Sequence, residues 1–174
     1  MFSWLKRKSP EPEAKVISPR IPKTLPPKTS KLIGDVKYNP KLVGQLSNEM
    51  KRIIETYAEI LHLLNSKYFA KIPPKLRQLT ADLKAHIFKE ELELYSYLEK
   101  IFSSNPQTLE DINKIKQEID HIAEQIVNLM NHYEELDQNN AQTFKTEFEL
   151  VGELLATRFH KKEEILYTMY TLYK

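Results

Sequence analysis

Past Pro40, apolar residues return every three or four positions in four separate runs, and that period admits helices packed on one another and little else. The first run is Val43, Leu46, Met50, Ile53, Tyr57, Ile60 and Leu64. A second follows Pro73-Pro74, a pair suited to a helix start, and reads Leu76, Leu79, Leu83, His86, Glu90, Leu94, Tyr97 and Ile101. Ser103-Ser-Asn-Pro106 ends it, and a third carries Ile112, Ile115, Ile119, Ile122, Ile126, Leu129, Tyr133 and Leu136. Beyond the polar turn Asp137-Gln-Asn-Asn140, a fourth is marked by Phe144, Phe148, Val151, Leu155, Phe159, Leu166, Met169 or Tyr170, and Tyr173. Short connections and only three glycines, with no alternating pattern, predict an all-α, antiparallel up-down four-helix bundle over residues 38–174.

The segment before it is a different object. Residues 1–40 hold nine Lys or Arg against three Asp or Glu, a net of +6, and seven of the ten prolines. The rest of the chain is net −4, so the overall +2 conceals a basic arm on an acidic body. Proline removes amide donors and favours extended backbone, which predicts a disordered, Pro-rich arm over residues 1–37. Phe2, Trp4 and Leu5 beside Lys6-Arg7-Lys8 could give weak contact with an anionic membrane surface, although the stretch is too short to anchor the protein alone. A flexible solubilising tail, or a tether that docks a partner, is the favoured expectation for the arm.

In the second run, His86 and Glu90 occupy positions where leucine is expected. Four residues apart, they stack on one helix face, the arrangement by which bundles offer a His and a carboxylate to a metal ion. Burial without partners costs a few kcal/mol, so the pair needs a reason. A metal, an ion pair with a basic side chain, or a satisfied polar pair bonded to itself, to Tyr57 or to water would each supply one. Counted from the turns, Tyr57 or Met50, Ile119 to Ile126 and Arg158 to Glu163 lie at a similar depth, so a polar layer across the bundle is expected.

The residues also carry a family resemblance. His86-x3-Glu90-Glu91 followed by Leu94-Tyr95 resembles the second-helix motif of the hemerythrin-like, or HHE cation-binding, domains, and Arg158-Phe-His-Lys-Lys-Glu163-Glu-Ile-Leu166-Tyr167 resembles their closing motif. The resemblance covers roughly residues 38–173 and implies a bundle whose centre holds non-haem iron for oxygen binding, sensing, or iron storage and delivery. It implies an inward His in the first helix, where this chain has Met50 and Tyr57, with His62 off the stripe. The third helix offers isoleucines, with His121 and His132 on its flanks. In the fourth, Arg158 falls where the family has a His, while Glu163 keeps the acidic position. A guanidinium has no lone pair to give a metal, but it can pair with Glu90 or Glu163 and neutralise a buried carboxylate. The candidate metal residues are therefore His86, Glu90 and Glu163, with Tyr57 or His121 as an added donor; Arg158 and Tyr57 are the candidate structural polar core. No cofactor is expected, and iron is the metal the resemblance leaves open. A second resemblance, of Val151-Gly-Glu-Leu-Leu-Ala-Thr-Arg158-Phe159 with Glu163-Glu164, is to the last helix of sigma-D-type anti-sigma regulators, bundles that act by binding protein.

Other chemistries lack their residues. The chain has no cysteine, no 18-residue apolar run, no glycine-rich phosphate loop, and no nucleophile beside a base, so an enzyme is not expected. Nucleic acid is not an expected partner, because the folded part is acidic and the basic arm lacks aromatic interleaving. Tyr95, Tyr97, Tyr167, Tyr170 and Tyr173 read as packing, and Lys161-Lys162-Glu163-Glu164 as a solvated face. The expectation is a cytoplasmic, bacterial, non-enzymatic binding or regulatory module with an unidentified protein partner; the alternative is an iron or oxygen sensor with a reduced site.

Overall fold

The computed structural model describes residues 36–133 and 136–174, with the side chains of 129–132 set aside. Residues 1–35 of the basic arm, and the side chains of Leu129 and His132, lie outside the described residues.

Four helical rods form the fold. The first is α1 (Leu42–Asn65). The second begins as α2 (Ile72–Lys89), passes through a π turn (Glu90–Tyr95), and ends as α3 (Ser96–Ile101). The third is α4 (Pro106–His132). The fourth runs from α5 (Ala141–Lys161) through a second π turn (Lys162–Tyr167) to α6 (Thr168–Leu172). All regular structure among the described residues is helical. Rods adjacent in sequence are neighbours in space, and α1 closes the ring against α5.

Local chemistry sets where the rods begin and end. Asn39 accepts the amide of Lys41 through its side chain at 3.0 Å, turning the chain into α1. At the other end, Lys67 adopts φ 60°, while the amides of Lys67 and Tyr68 return to the carbonyls of Leu64 and Leu63 at 3.0 and 2.9 Å. That is a Schellman closure with lysine in the left-handed position that glycine usually takes. Pro73 and Pro74 occupy the first turn of α2, where their missing amides cost nothing. Asn105 caps α4 by accepting the Thr108 amide at 3.1 Å. The last turn is tied by Asp137, whose Oδ1 accepts the amides of Asn139 and Asn140 at 2.8 and 3.2 Å.

The core is divided in two. One apolar cluster gathers Met50 to Leu64, Ile72 to Leu83, Ile126, and Phe144 to Leu155, around the ends where α1 meets α2 and α4 meets α5. The other gathers Leu42, Leu46, Leu94 to Phe102, Ile112, Ile119, and Leu166 to Tyr173. Along every rod the boundary falls at the same level: between 46 and 50, 83 and 94, 119 and 126, and 155 and 166. In the second and fourth rods, the residues bridging that gap are His86, Glu90, Arg158 and Lys162, all buried.

Candidate functional site

Both π turns sit at this level, and both have the same cause. In an α-helix each step of four residues overshoots a full turn by about 40°. His86, Glu90 and Leu94 are spaced by fours, as are Arg158, Lys162 and Leu166, and all six are buried. A wider π turn in each rod removes the drift and keeps the row on one face. Two hydroxyls brace the widened turns in matching fashion: Ser96 Oγ donates to the Glu91 carbonyl at 2.9 Å, and Thr168 Oγ1 to that of Glu163 at 3.2 Å. The match extends to sequence, since Lys89-Glu-Glu-Leu-Glu-Leu-Tyr-Ser96 and Lys161-Lys-Glu-Glu-Ile-Leu-Tyr-Thr168 share four of eight residues at the separation of 72 that divides Glu90 from Lys162. At that offset His86 corresponds to Arg158, and Glu90 to Lys162.

The two halves meet as ions. Lys162 Nζ donates to Glu90 Oε1 at 2.5 Å and lies 3.1 Å from His86 Nε2. Arg158 Nη2 donates to Glu90 Oε2 at 3.1 Å, and its Nη1 to the backbone carbonyl of Ile119 at 2.5 Å. Tyr167 Oη donates to Glu90 Oε1 at 3.3 Å, and His86 Nε2 stands 3.0 Å from the same oxygen. The network leaves the core through the other imidazole nitrogen: His86 Nδ1 lies 3.2 Å from Glu49 Oε2, and Lys89 Nζ holds Glu49 Oε1 at 2.8 Å. Among the described residues, two buried polar atoms beside this network have no hydrogen-bond partner, Arg158 Nε and Tyr95 Oη.

Electrostatics follow from one buried acid facing two buried cations. Burial alone would raise the Glu90 carboxyl, but Lys162, His86 and Arg158 together hold it far below the ordinary carboxylate range. The Lys162 ammonium is brought down to about 8, because burial and the neighbouring guanidinium outweigh the attraction of Glu90. Burial and the charge of Glu90 push the Tyr95 and Tyr167 hydroxyls up, so both remain neutral. With Glu90 ionised and both bases protonated, the centre carries a net positive charge, and Lys162 is the group that relieves it most easily.

A family model, the hemerythrin HHE cation-binding domain, matches residues 42–170. The chain belongs to that family. No curated protein and no solved structure matches it, and the expected likeness of the last helix to anti-sigma regulators is not supported by any of these comparisons.

The positions expected to carry a hemerythrin metal centre separate into two sets. His86 and Glu90 lie together at the centre, and Arg158 pairs with Glu90. Glu163 is not with them. It is exposed, and the preceding Lys162 points inward instead, one α-helical turn beyond Arg158 on the same face. The reading of Lys161 to Glu164 as a wholly solvated face is corrected at the same residue, which is completely buried. Tyr57 is buried in the neighbouring apolar cluster, where its hydroxyl donates to the Phe148 carbonyl at 3.2 Å, one layer from the ions. His62 and His121 are exposed. Tyr167, read as packing, also hydrogen-bonds Glu90. Among the described residues, no group of three or more His, Cys, Asp or Glu side chains is arranged to hold a metal ion.

Sequence reasoning passed over Lys162 and Glu49, and the first had a signal. The apolar stripe of the fourth helix jumps from Phe159 to Leu166, and Lys162 lies in that gap one turn beyond Arg158. Glu49 flanks the stripe and is half-buried, so spacing alone gives it no distinction.

Proposed function

We propose that this hemerythrin-fold domain acts as a non-enzymatic binding or regulatory module, its centre held by the protein's own ions rather than by iron. One observation carries the reading: the Lys162 ammonium contacts Glu90 Oε1 and His86 Nε2 together, the place that a metal shared by those two donors would take. Arg158 closes the other carboxylate oxygen, so each Glu90 oxygen already faces a fixed cation. A ferrous or ferric ion there would stand against a guanidinium that cannot deprotonate and an ammonium that must leave. The residues present therefore do not fit a di-iron centre, and no oxygen chemistry is drawn from them.

Metal analysis of protein purified from iron-supplemented cells tests this. The expected result is iron well below one equivalent, with the fold unchanged by a chelator. Stoichiometric iron that is lost in His86→Ala would overturn the reading in favour of the alternative, an iron-binding or oxygen-sensing domain with a reduced site. What favours that alternative is the His86–Glu90 pair, which retains two donors of the right type at 3.0 Å.

A further inference from the structure

On the face opposite the Glu49 side of the second rod, a groove of about 480 Å³ runs between α2 and α4. Its apolar surface comes from Ile87, Phe88, Ala123 and Val127. Phe88 is 65% exposed, and Leu92, one turn further along the rod, is 53% exposed. A phenylalanine and a leucine in water on one helix face, beside an apolar trough, mark a surface that is covered by something. Around them stand Glu91, Asp120 and Glu124 against Lys84, and Lys116 reaches in to pair with Glu91 at 2.5 Å, so Asp120 and Glu124 are the carboxylates left for a basic partner.

We propose that the occupant is the chain's own N-terminus, with Phe2, Trp4 and Leu5 seated in this groove and Lys6-Arg7-Lys8 against its carboxylates. The chemistry matches on both counts. Those three residues are the only cluster of large apolar side chains at the head of the arm, and three consecutive bases follow directly. Residues 1–35 carry eight Lys or Arg against three Asp or Glu, opposite in sign to the groove.

The reach is sufficient. The described chain begins beside the second rod, where Lys100 Nζ donates to the Val36 carbonyl at 2.8 Å. From Lys100 back to Phe88 is about 18 Å along the helix. The thirty residues between Leu5 and Val36 span up to about 100 Å when extended, so the connection does not limit docking. A segment tethered to its own site experiences an effective concentration on the order of millimolar, enough for a weak contact to be occupied most of the time. This inference does not depend on the metal content of the bundle.

Trp4 is the only tryptophan in the sequence, so the full chain reports on its own arm. Steady-state fluorescence with acrylamide quenching should show a blue-shifted Trp4, quenched several-fold less than in the urea-unfolded protein, at every protein concentration. Phe88→Glu, at a position exposed enough to leave the helical circular dichroism unchanged, should restore solvent-like emission and quenching. Glu124→Lys should weaken the protection and make it less salt-sensitive. Three outcomes would overturn the proposal. Trp4 could be equally quenched in the wild type and in Phe88→Glu. Protection lost on dilution would mean that the groove of a second copy is filled instead. A blue shift seen only with vesicles containing anionic lipid would assign residues 1–8 to a membrane surface.

Discussion

Glu90 and Lys162 hold equivalent places in two similar sequence segments, and in the bundle centre each is the nearest ion of the other, at 2.5 Å. Similarity alone would set like beside like. Here one rod supplies His86 and Glu90, the other Arg158 and Lys162, so the two π turns bring an acid and two bases to the same level.

The pairing is asymmetric, and the asymmetry is measurable. Glu90 is the one buried carboxylate serving both Arg158 and Lys162, whereas Glu90 without Lys162 retains Arg158, His86 and Tyr167. Removing one member of a buried ion pair so that charge is left uncompensated costs about 3–5 kcal/mol, while a well-packed apolar replacement can be close to neutral. Glu90→Gln should therefore lose stability near the upper end of that range in urea titrations. Lys162→Met should lose far less, or gain. Equal losses in the two variants would show that the cations are not competing for Glu90.

A pH profile follows from Lys162. Its folded pKa, brought down to about 8, lies below its ordinary value of 10.5, so the unfolded chain binds the extra proton between those limits. Stability rises with pH wherever the unfolded state binds more protons. Relative to Lys162→Met, the wild type should therefore become more stable from about pH 8 to about pH 10.5, by a few kcal/mol at most. Glu90 works in the opposite sector: its carboxyl is depressed, so its contribution is present above the ordinary carboxylate range and lost as pH falls below it. Chemical denaturation of both proteins across this range checks the sign; a wild type that weakens relative to Lys162→Met above pH 8 would contradict the burial of an excess cation.

The four runs of threes and fours contained the bundle, because packing a helix face is a local rule repeated along each run. They also contained the break in the core, since His86, Glu90 and Arg158 stand where aliphatic residues belong. What they did not contain was the handover from α to π backbone. The 3.6 period alone carries the buried row from Leu155 through Arg158 to Lys162 and Leu166, so the wider turn leaves no mark in the spacing, and Lys162 is passed over because a lysine in a run of charges reads as solvated surface. Ile119 escaped notice for another reason: its side chain is ordinary core, and its contribution to the site is a carbonyl, to which Arg158 donates.

Helix closure at Lys67 offers a test independent of the ions. Its φ of 60° places a β-carbon in the left-handed region, which costs roughly 1–2 kcal/mol for a residue other than glycine. The side chain is exposed, so nothing is lost by deleting it. Lys67→Gly should raise stability, by less than that cost because glycine loses more freedom on folding, to about 0.5–1 kcal/mol. A thermal midpoint that stays level or falls would mean that the left-handed conformation of Lys67 is not a net cost to the fold.

The close approach of α1 to α5 depends on Gly152. A β-carbon built there would collide with the Tyr57 hydroxyl and stand 2.6 Å from its Cζ. Tyr57 cannot easily swing away, because its ring stacks on Phe148 with centroids 4.6 Å apart and its hydroxyl is committed to the Phe148 carbonyl. Ordinary helix propensity favours alanine over glycine by about 1 kcal/mol, but forcing an extra carbon into a filled core costs about 1–3 kcal/mol. Overpacking should win, so Gly152→Ala is expected to destabilise. Because the obstruction begins at the hydroxyl, Tyr57→Phe should recover part of that loss, and the pair should give a favourable coupling in a double-mutant cycle. Additive effects would place the cost of Gly152→Ala somewhere other than the Tyr57 hydroxyl.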